Sequence, residues 1–240
     1  LPIYTLIGMT LKLYYAPGAC SFVPHTLLEA TGAPFEPAMV KLHKGEQQSP
    51  EYRAINPRGQ VPVLVDDGQV ITQILAIIGY LHDRFPALGF LPSEPLARAR
   101  VMETLAWMNN TVHPTFTHIF MPQKFTDNPA VHDELRRYNA TLYRSMLGEL
   151  QALVGRAQAS GSAWLGGERF GPLDAYSLTL TRWGGILTMD ALRDSLMDPQ
   201  DGVVKGLEGK VRFALTLYSG DGQQKCPDLT QVVPPALNNY

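Results

Sequence analysis

The order of apolar and polar positions divides the chain into two unlike halves. Leu11 to Tyr15 is a short apolar run, followed by Ala16, Pro17, Gly18, Ala19 and Cys20 and then by a helix-like stretch from Ser21 to Thr31. Phe35 to Leu42 predicts a second strand, and Val61 to Val65 with Gln69 to Ile71 predicts a hairpin turning at Asp66, Asp67 and Gly68. Thr72 to Phe85 carries the broad apolar face of a helix. The implied order is strand, helix, strand, hairpin, helix. Arg84 to Gly89, then Pro92 and Pro95, form a proline-punctuated connector where helix signals stop and restart. From Leu96 onward no strand pattern occurs for nearly a hundred residues. Apolar residues instead recur at helical spacing, as in Val101, Leu105, Met108 and Val112, and again in Leu135, Tyr138, Leu142, Met146, Leu150 and Val154. The second half is therefore expected to be an all-helical bundle.

Gly171, Pro172, Leu173 and Asp174 open one more helix, with the Asp174 carboxylate placed to accept from amides of its first turn. Beyond Asp190 the pattern changes. Val203 to Tyr218 fits helix or strand equally, and Gly220 to Tyr240 is polar and rich in Pro, Gly, Gln and Asn, as in a loosely held tail.

Composition narrows the functional classes. The 240 residues are 45% hydrophobic and 18% charged, a globular balance that permits two modest domains. A net charge of −2 without a cluster of Lys and Arg gives no electrostatic reason to expect nucleic acid or an anionic membrane. No apolar run approaches the ~18 residues of a membrane span, and Leu1 to Gly8 lacks the pattern of a signal peptide. Cys20 and Cys226 are too few for a disulfide framework or a thiolate zinc site, so a reducing, cytoplasmic setting is expected. The six histidines show no metal-ligand spacing, and no metal is expected.

The position of Cys20 carries the chemistry. A thiol at a strand-to-helix junction lies beside unpaired first-turn N–H groups, which favour a thiolate there, whether of Cys20 or of a bound thiol ligand. Lowering a thiol pKa by two units takes roughly 2.7 kcal/mol. A hydrogen bond to a charged sulfur gives ~1.5–3 kcal/mol and a helix start ~0.3–1 kcal/mol, so neither a metal nor a general base is required. Val23 stands where dithiol redox proteins hold a second cysteine, so any redox cycle must recruit an external thiol.

Three segments, Tyr14 to His25 (YYAPGACSFVPH), Ala54 to Leu64 (AINPRGQVPVL) and Thr72 to Leu81 (TQILAIIGYL), resemble the glutathione transferase superfamily and, around the cysteine, its bacterial beta class. The resemblance spans roughly Met9 to Pro86, continues more weakly to about Met189 and then fades. It implies an α/β N-terminal thioredoxin-like domain plus an all-α C-terminal helical bundle domain. The expected division is 9–86 for the first domain, 87–95 for a linker, 96–202 for the helical domain and 203–240 for a segment of uncertain structure. Residues 1–8 are then an extension or a cloning remnant.

The resemblance also assigns roles. Cys20 matches the cysteine that contacts the glutathione sulfur and can form a mixed disulfide with it. Val61 precedes a proline, Pro62, expected to be cis, and the Val61 backbone pairs with the cysteinyl part of glutathione. Gln60 and Lys44 match positions that contact its carboxylates. Gln73 and Ile74 match the γ-glutamyl site, where the family has a small or hydroxyl residue in place of Ile74. Losing that hydrogen bond to a charged carboxylate costs ~1.5–3 kcal/mol unless the Ile74 N–H compensates. His113 matches the histidine facing the sulfur across the cleft. Its usual asparagine companion is replaced by Ala106, leaving the cleft less polar. Gly171 stands where the family has Ser or Thr, which removes half of a capping box. His25 is expected to be a structural partner on the first helix, Trp107, Trp164 and Trp183 to be packing residues, and Tyr14 and Tyr15 not to be catalytic.

These readings imply a homodimeric enzyme that takes glutathione as co-substrate and conjugates it to small apolar electrophiles, a detoxifying activity. Two alternatives stand beside it: a glutathione-dependent disulfide reductase or peroxidase acting through Cys20, and a non-catalytic binding protein that keeps the fold.

Overall fold

The computed structural model describes residues 11–186. Positions 1–10 and 187–240, with the readings made there for the extension, the tail and Cys226, lie outside the described residues. The sheet has four strands, β1 (Leu11–Tyr15), β2 (Phe35–Met39), β3 (Val63–Asp66) and β4 (Gln69–Thr72), in the order β2–β1–β3–β4. β1 and β2 are parallel and are joined by helix α1 (Phe22–Thr31), whereas β3 is antiparallel to both β1 and β4. Pro37 lacks a donor, and it is accommodated because β2 is an edge strand.

β2 ends at Met39, short of the expected Leu42, because the chain turns into a 3₁₀ segment at Leu42–Lys44. Val40 still donates its N–H to the Tyr15 carbonyl at 2.8 Å. The hairpin turns at Asp67 and Gly68, both with positive φ (49° and 76°), the geometry that matches strand twist. Alternation along β3 serves two layers. Leu64 points into the main core with Leu13, Val23 and Leu27, while Val63 packs with Val40 and Tyr52 of the short helix α2 (Pro50–Ile55). Helix α3 (Ile74–Arg84) buries Ile77, Ile78 and Leu81 against the same face of the sheet as α1.

The second half is helical: α4 (Pro95–Trp107), a π-helical turn at Met108–Val112, α5 (His113–Phe120), α6 (His132–Ala159) and α7 (Pro172–Ile186). α7 is buried almost all round, through Leu173, Tyr176, Leu180 and Trp183 as well as Ser177, Thr179 and Thr181, which makes it the central helix of the bundle. Asp174 begins it as expected, but with a wider reach. Its carboxylate accepts from the Gly171 N–H at 3.0 Å and from the Leu165 N–H at 2.9 Å, so it ties down the preceding loop as well as the cap. α7 packs directly on α1, and one apolar cluster runs without a break from Leu13 to Trp183.

Candidate active site

The thiol loop is shaped by its own backbone. After β1, Gly18 takes a positive φ of 74°, and the Ser21 hydroxyl accepts from the Ala16 N–H at 3.0 Å and donates to the Ala16 carbonyl at 3.2 Å. That latch holds Cys20 one turn before α1. The Cys20 thiol donates to the Val61 carbonyl at 3.6 Å, across 41 residues of sequence. Amides of Cys20 and Ser21 pull the thiol pKa down, but burial outweighs them and pushes it up to about 12. The sequence left open which sulfur the helix start would ionise; desolvation disfavours the thiolate of Cys20 itself.

The Val61–Pro62 peptide is cis. Its approach is fixed by groups that the sequence did not single out. The Gln60 carbonyl accepts from the Tyr52 hydroxyl at 2.8 Å and from the Asn56 side-chain amide at 2.7 Å, while Asn56 Oδ1 accepts from the Arg58 N–H. Gly59 is required here: its φ is +59°, and a Cβ would lie 2.7 Å from the Gln47 carbonyl. The turn carrying Gln47 and Gln48 thus packs against Gly59, the neighbour of Gln60. Lys44 and the Gln60 side chain are exposed.

α3 begins at Ile74 rather than Thr72 because Gln73 adopts φ 72°, outside helical geometry. The Gln73 side chain is exposed, whereas that of Ile74 is 4% exposed and belongs to the apolar core. Ile74 therefore has only its first-turn N–H to offer a ligand.

On the helical side, His113 sits at the end of the π-helical turn, its Nδ1 2.9 Å from the Tyr176 hydroxyl. Tyr176 in turn donates to Asn109 Oδ1 at 3.2 Å. Trp183 packs edge-on against His113, with centroids 4.8 Å apart, and donates its indole N–H to the Gly18 carbonyl at 2.8 Å. One indole thus touches both the histidine and the thiol loop. Burial, helped by the Lys124 charge, lowers the His113 pKa to about 4. Lys124 also acts on Cys20 in the opposite sense to burial.

Two expectations change here. Asn109, three residues beyond Ala106, is linked to His113 through the Tyr176 hydroxyl. Its spacing of four residues before His113 was the available signal. Trp183 packs as expected, stacking on Phe116 at 4.7 Å, but it also bridges the two halves. His25 is a packing residue on α1 between Tyr15 and Phe35, with its pKa lowered to about 4 by burial. Among the described residues no group of three or more His, Cys, Asp or Glu side chains could hold a metal ion, and no helix is long and apolar enough to cross a membrane.

The thiol loop thus lies against a cis-proline turn and is tied to the helical bundle. Residues 9–83 match the family model for the N-terminal domain of glutathione S-transferase. The chain is 34% identical over 176 residues to glutathione S-transferase GstA of Escherichia coli O157:H7, covering 72% of this chain and 82% of the relative. It belongs to the glutathione S-transferase family. Glutathione S-transferase GST-4.5 of Xanthomonas campestris pv. campestris is 33% identical over 194 residues, 78% of this chain and 89% of its own. In fold, the transferase is similar to a glutathione transferase homolog from Sulfitobacter solved with bound glutathione, with a TM-score of 0.76 at 21% identity, covering 90% of this chain and 99% of that one.

Proposed function

We propose that this transferase activates glutathione for conjugation to small apolar electrophiles, with the ligand's sulfur rather than that of Cys20 as the nucleophile. The observation that carries this reading is the state of Cys20, a neutral thiol already engaged as a donor to the Val61 carbonyl. On ligand binding the single Cys20 hydrogen would turn from the Val61 carbonyl to the bound sulfur and stabilise the ligand thiolate, and the amides at the start of α1 would add to that. The glutathione backbone would pair with Val61 at the cis peptide, its carboxylates would meet Gln60 and Lys44, and its γ-glutamyl end would meet Gln73 and the Ile74 N–H. His113 would face the sulfur from the bundle. The electrophile would rest between the thiol loop and α4–α5. We further propose the division into domains at 9–86 and 96–202 joined by 87–95, a homodimer, membership of the cysteine-type beta class, a cytoplasmic location and a detoxifying role.

The reductase reading requires Cys20 to be a nucleophile, and a thiol pushed up to about 12 is a poor one at neutral pH. Retention on glutathione-agarose and turnover of a model aryl halide test the conjugation reading. Cys20→Ala should lower kcat/KM about tenfold or more, the loss of one hydrogen bond to a charged group. Alkylation of Cys20 by iodoacetamide at pH 8 should be on the order of a thousandfold slower than that of an ordinary thiol. Rapid alkylation together with disulfide reductase activity abolished by Cys20→Ala would favour the reductase. No retention and no thermal shift at millimolar glutathione would end both enzymatic readings and leave the binding protein.

A further inference from the structure

The Gln60 carbonyl is held from two sides. It accepts from the Tyr52 hydroxyl at 2.8 Å and from Asn56 Nδ2 at 2.7 Å, so both of its lone pairs are engaged. The direction of each bond is fixed, because a carbonyl can only accept. The Asn56 amide cannot be turned over either. Its Nδ2 faces that carbonyl and its Oδ1 faces the Arg58 N–H at 3.2 Å, and a flip would set acceptor against acceptor and donor against donor. Asn56 is itself locked at the end of α2, where its N–H donates to the Tyr52 carbonyl and its own carbonyl accepts from the Gly59 N–H, each at 2.9 Å. Both side chains belong to buried residues, so water does not compete for these bonds.

The next peptide unit inherits this orientation. The Gln60–Val61 peptide is trans and planar, so the Val61 N–H points opposite to the Gln60 carbonyl, away from Tyr52 and Asn56. Among the described residues that N–H has no hydrogen-bond partner. The Val61 carbonyl accepts from the Cys20 thiol at 3.6 Å. Val61 therefore offers a donor and an acceptor beside the thiol, the two backbone groups with which an extended peptide pairs.

We propose that Tyr52 and Asn56 are positioning residues: by clamping the Gln60 carbonyl they aim the Val61 N–H into the ligand groove and set the Val61 carbonyl against the Cys20 thiol. The ligand's identity rests on the conjugation reading, and the clamp adds what sets the register of that ligand. Both residues act through the backbone. Two donors are used because one hydrogen bond fixes where the carbonyl lies but leaves the peptide plane free to turn about it.

Infrared spectroscopy of the ligand-free wild-type protein reads the Cys20 S–H stretch, with Cys20→Ala identifying the band. Tyr52→Phe keeps the ring among Tyr14, Val40 and Val63 and removes only the hydroxyl, while Asn56→Asp keeps the acceptor for Arg58 and removes the donor. Each should move the band to higher frequency, as a weakened S–H···O bond requires. Each should also raise KM for glutathione about fivefold while kcat with an aryl halide stays within about twofold. The two together should raise KM by more than the product of the single effects, because they share one acceptor. Tyr14→Phe, which packs on the same ring without reaching Gln60, should change neither readout. An unmoved band in the folded Tyr52→Phe protein overturns the proposal. A moved band with KM unchanged overturns it too, since the groove then does not follow the Val61 backbone. If the wild type does not bind glutathione the conjugation reading fails, while the band still decides whether Tyr52 and Asn56 set the Val61 carbonyl.

Discussion

Two histidines, His25 buried and His113 half-buried, show how much one residue's surroundings can matter. His25, on α1, and His113, at the start of α5, both have pKa values lowered to about 4 by burial. The folded state therefore binds fewer protons than the unfolded chain between that value and the ordinary histidine value of about 6.5. Their contribution to stability is complete above about pH 6.5 and is lost as pH falls through the window down to about 4. Urea unfolding at pH 7 and pH 5 should show a loss of roughly 1–2 kcal/mol per histidine. His25→Phe, which keeps the aromatic contacts to Tyr15 and Phe35, should remove about half of that loss. An unchanged pH dependence would show that His25 is not held neutral. Ile74 makes the same point by another route. Its side chain is committed to the core, so the helix backbone alone is left for a ligand.

At the scale of elements, α7 depends on one carboxylate. Asp174 satisfies the Gly171 and Leu165 N–H groups together, and it is 4% exposed. Asp174→Ala leaves two donors without their acceptor, and a cost of about 2–4 kcal/mol is expected. Chemical denaturation measures this, and Asp174→Asn, which keeps one acceptor oxygen, should recover part of it. Equal loss in both variants would mean that charge, and not the number of acceptors, matters. The elements themselves were legible in the sequence to different degrees. The hairpin at Asp67–Gly68 and the helical spacing of the second half follow from local chemistry, and both are present. The end of β2 and the start of α3 were misjudged by two or three residues, because Phe35 to Leu42 and Thr72 to Phe85 continue their apolar patterns beyond the point where the backbone turns. Positive φ at Gln73, a non-glycine residue, leaves no trace in a periodicity.

Across the whole molecule, the contact between α1 and α7 joins the sheet to the bundle, and Trp183 carries that joint to the thiol loop, 165 residues away in sequence. Trp183→Phe keeps a ring against Phe116 and His113 but loses the bond to Gly18. Global stability should fall by about 0.5–1.5 kcal/mol. Hydrogen exchange should quicken severalfold at Ala19 to Phe22 while β3 is unaffected; equal change in both would show that the bond holds the core in general rather than the loop. The sequence by itself determined the order of strands and helices, the cysteine at the strand-to-helix junction, the proline turn that opposes it and the family. All of these are encoded in neighbouring residues, through side-chain periodicity, turn chemistry and short motifs. Only the tertiary structure decided that the Cys20 thiol meets the Val61 carbonyl and that His113 meets the Tyr176 hydroxyl. Desolvation and the direction of a hydrogen bond depend on what distant segments bring within a few ångströms, and a linear pattern does not contain that distance.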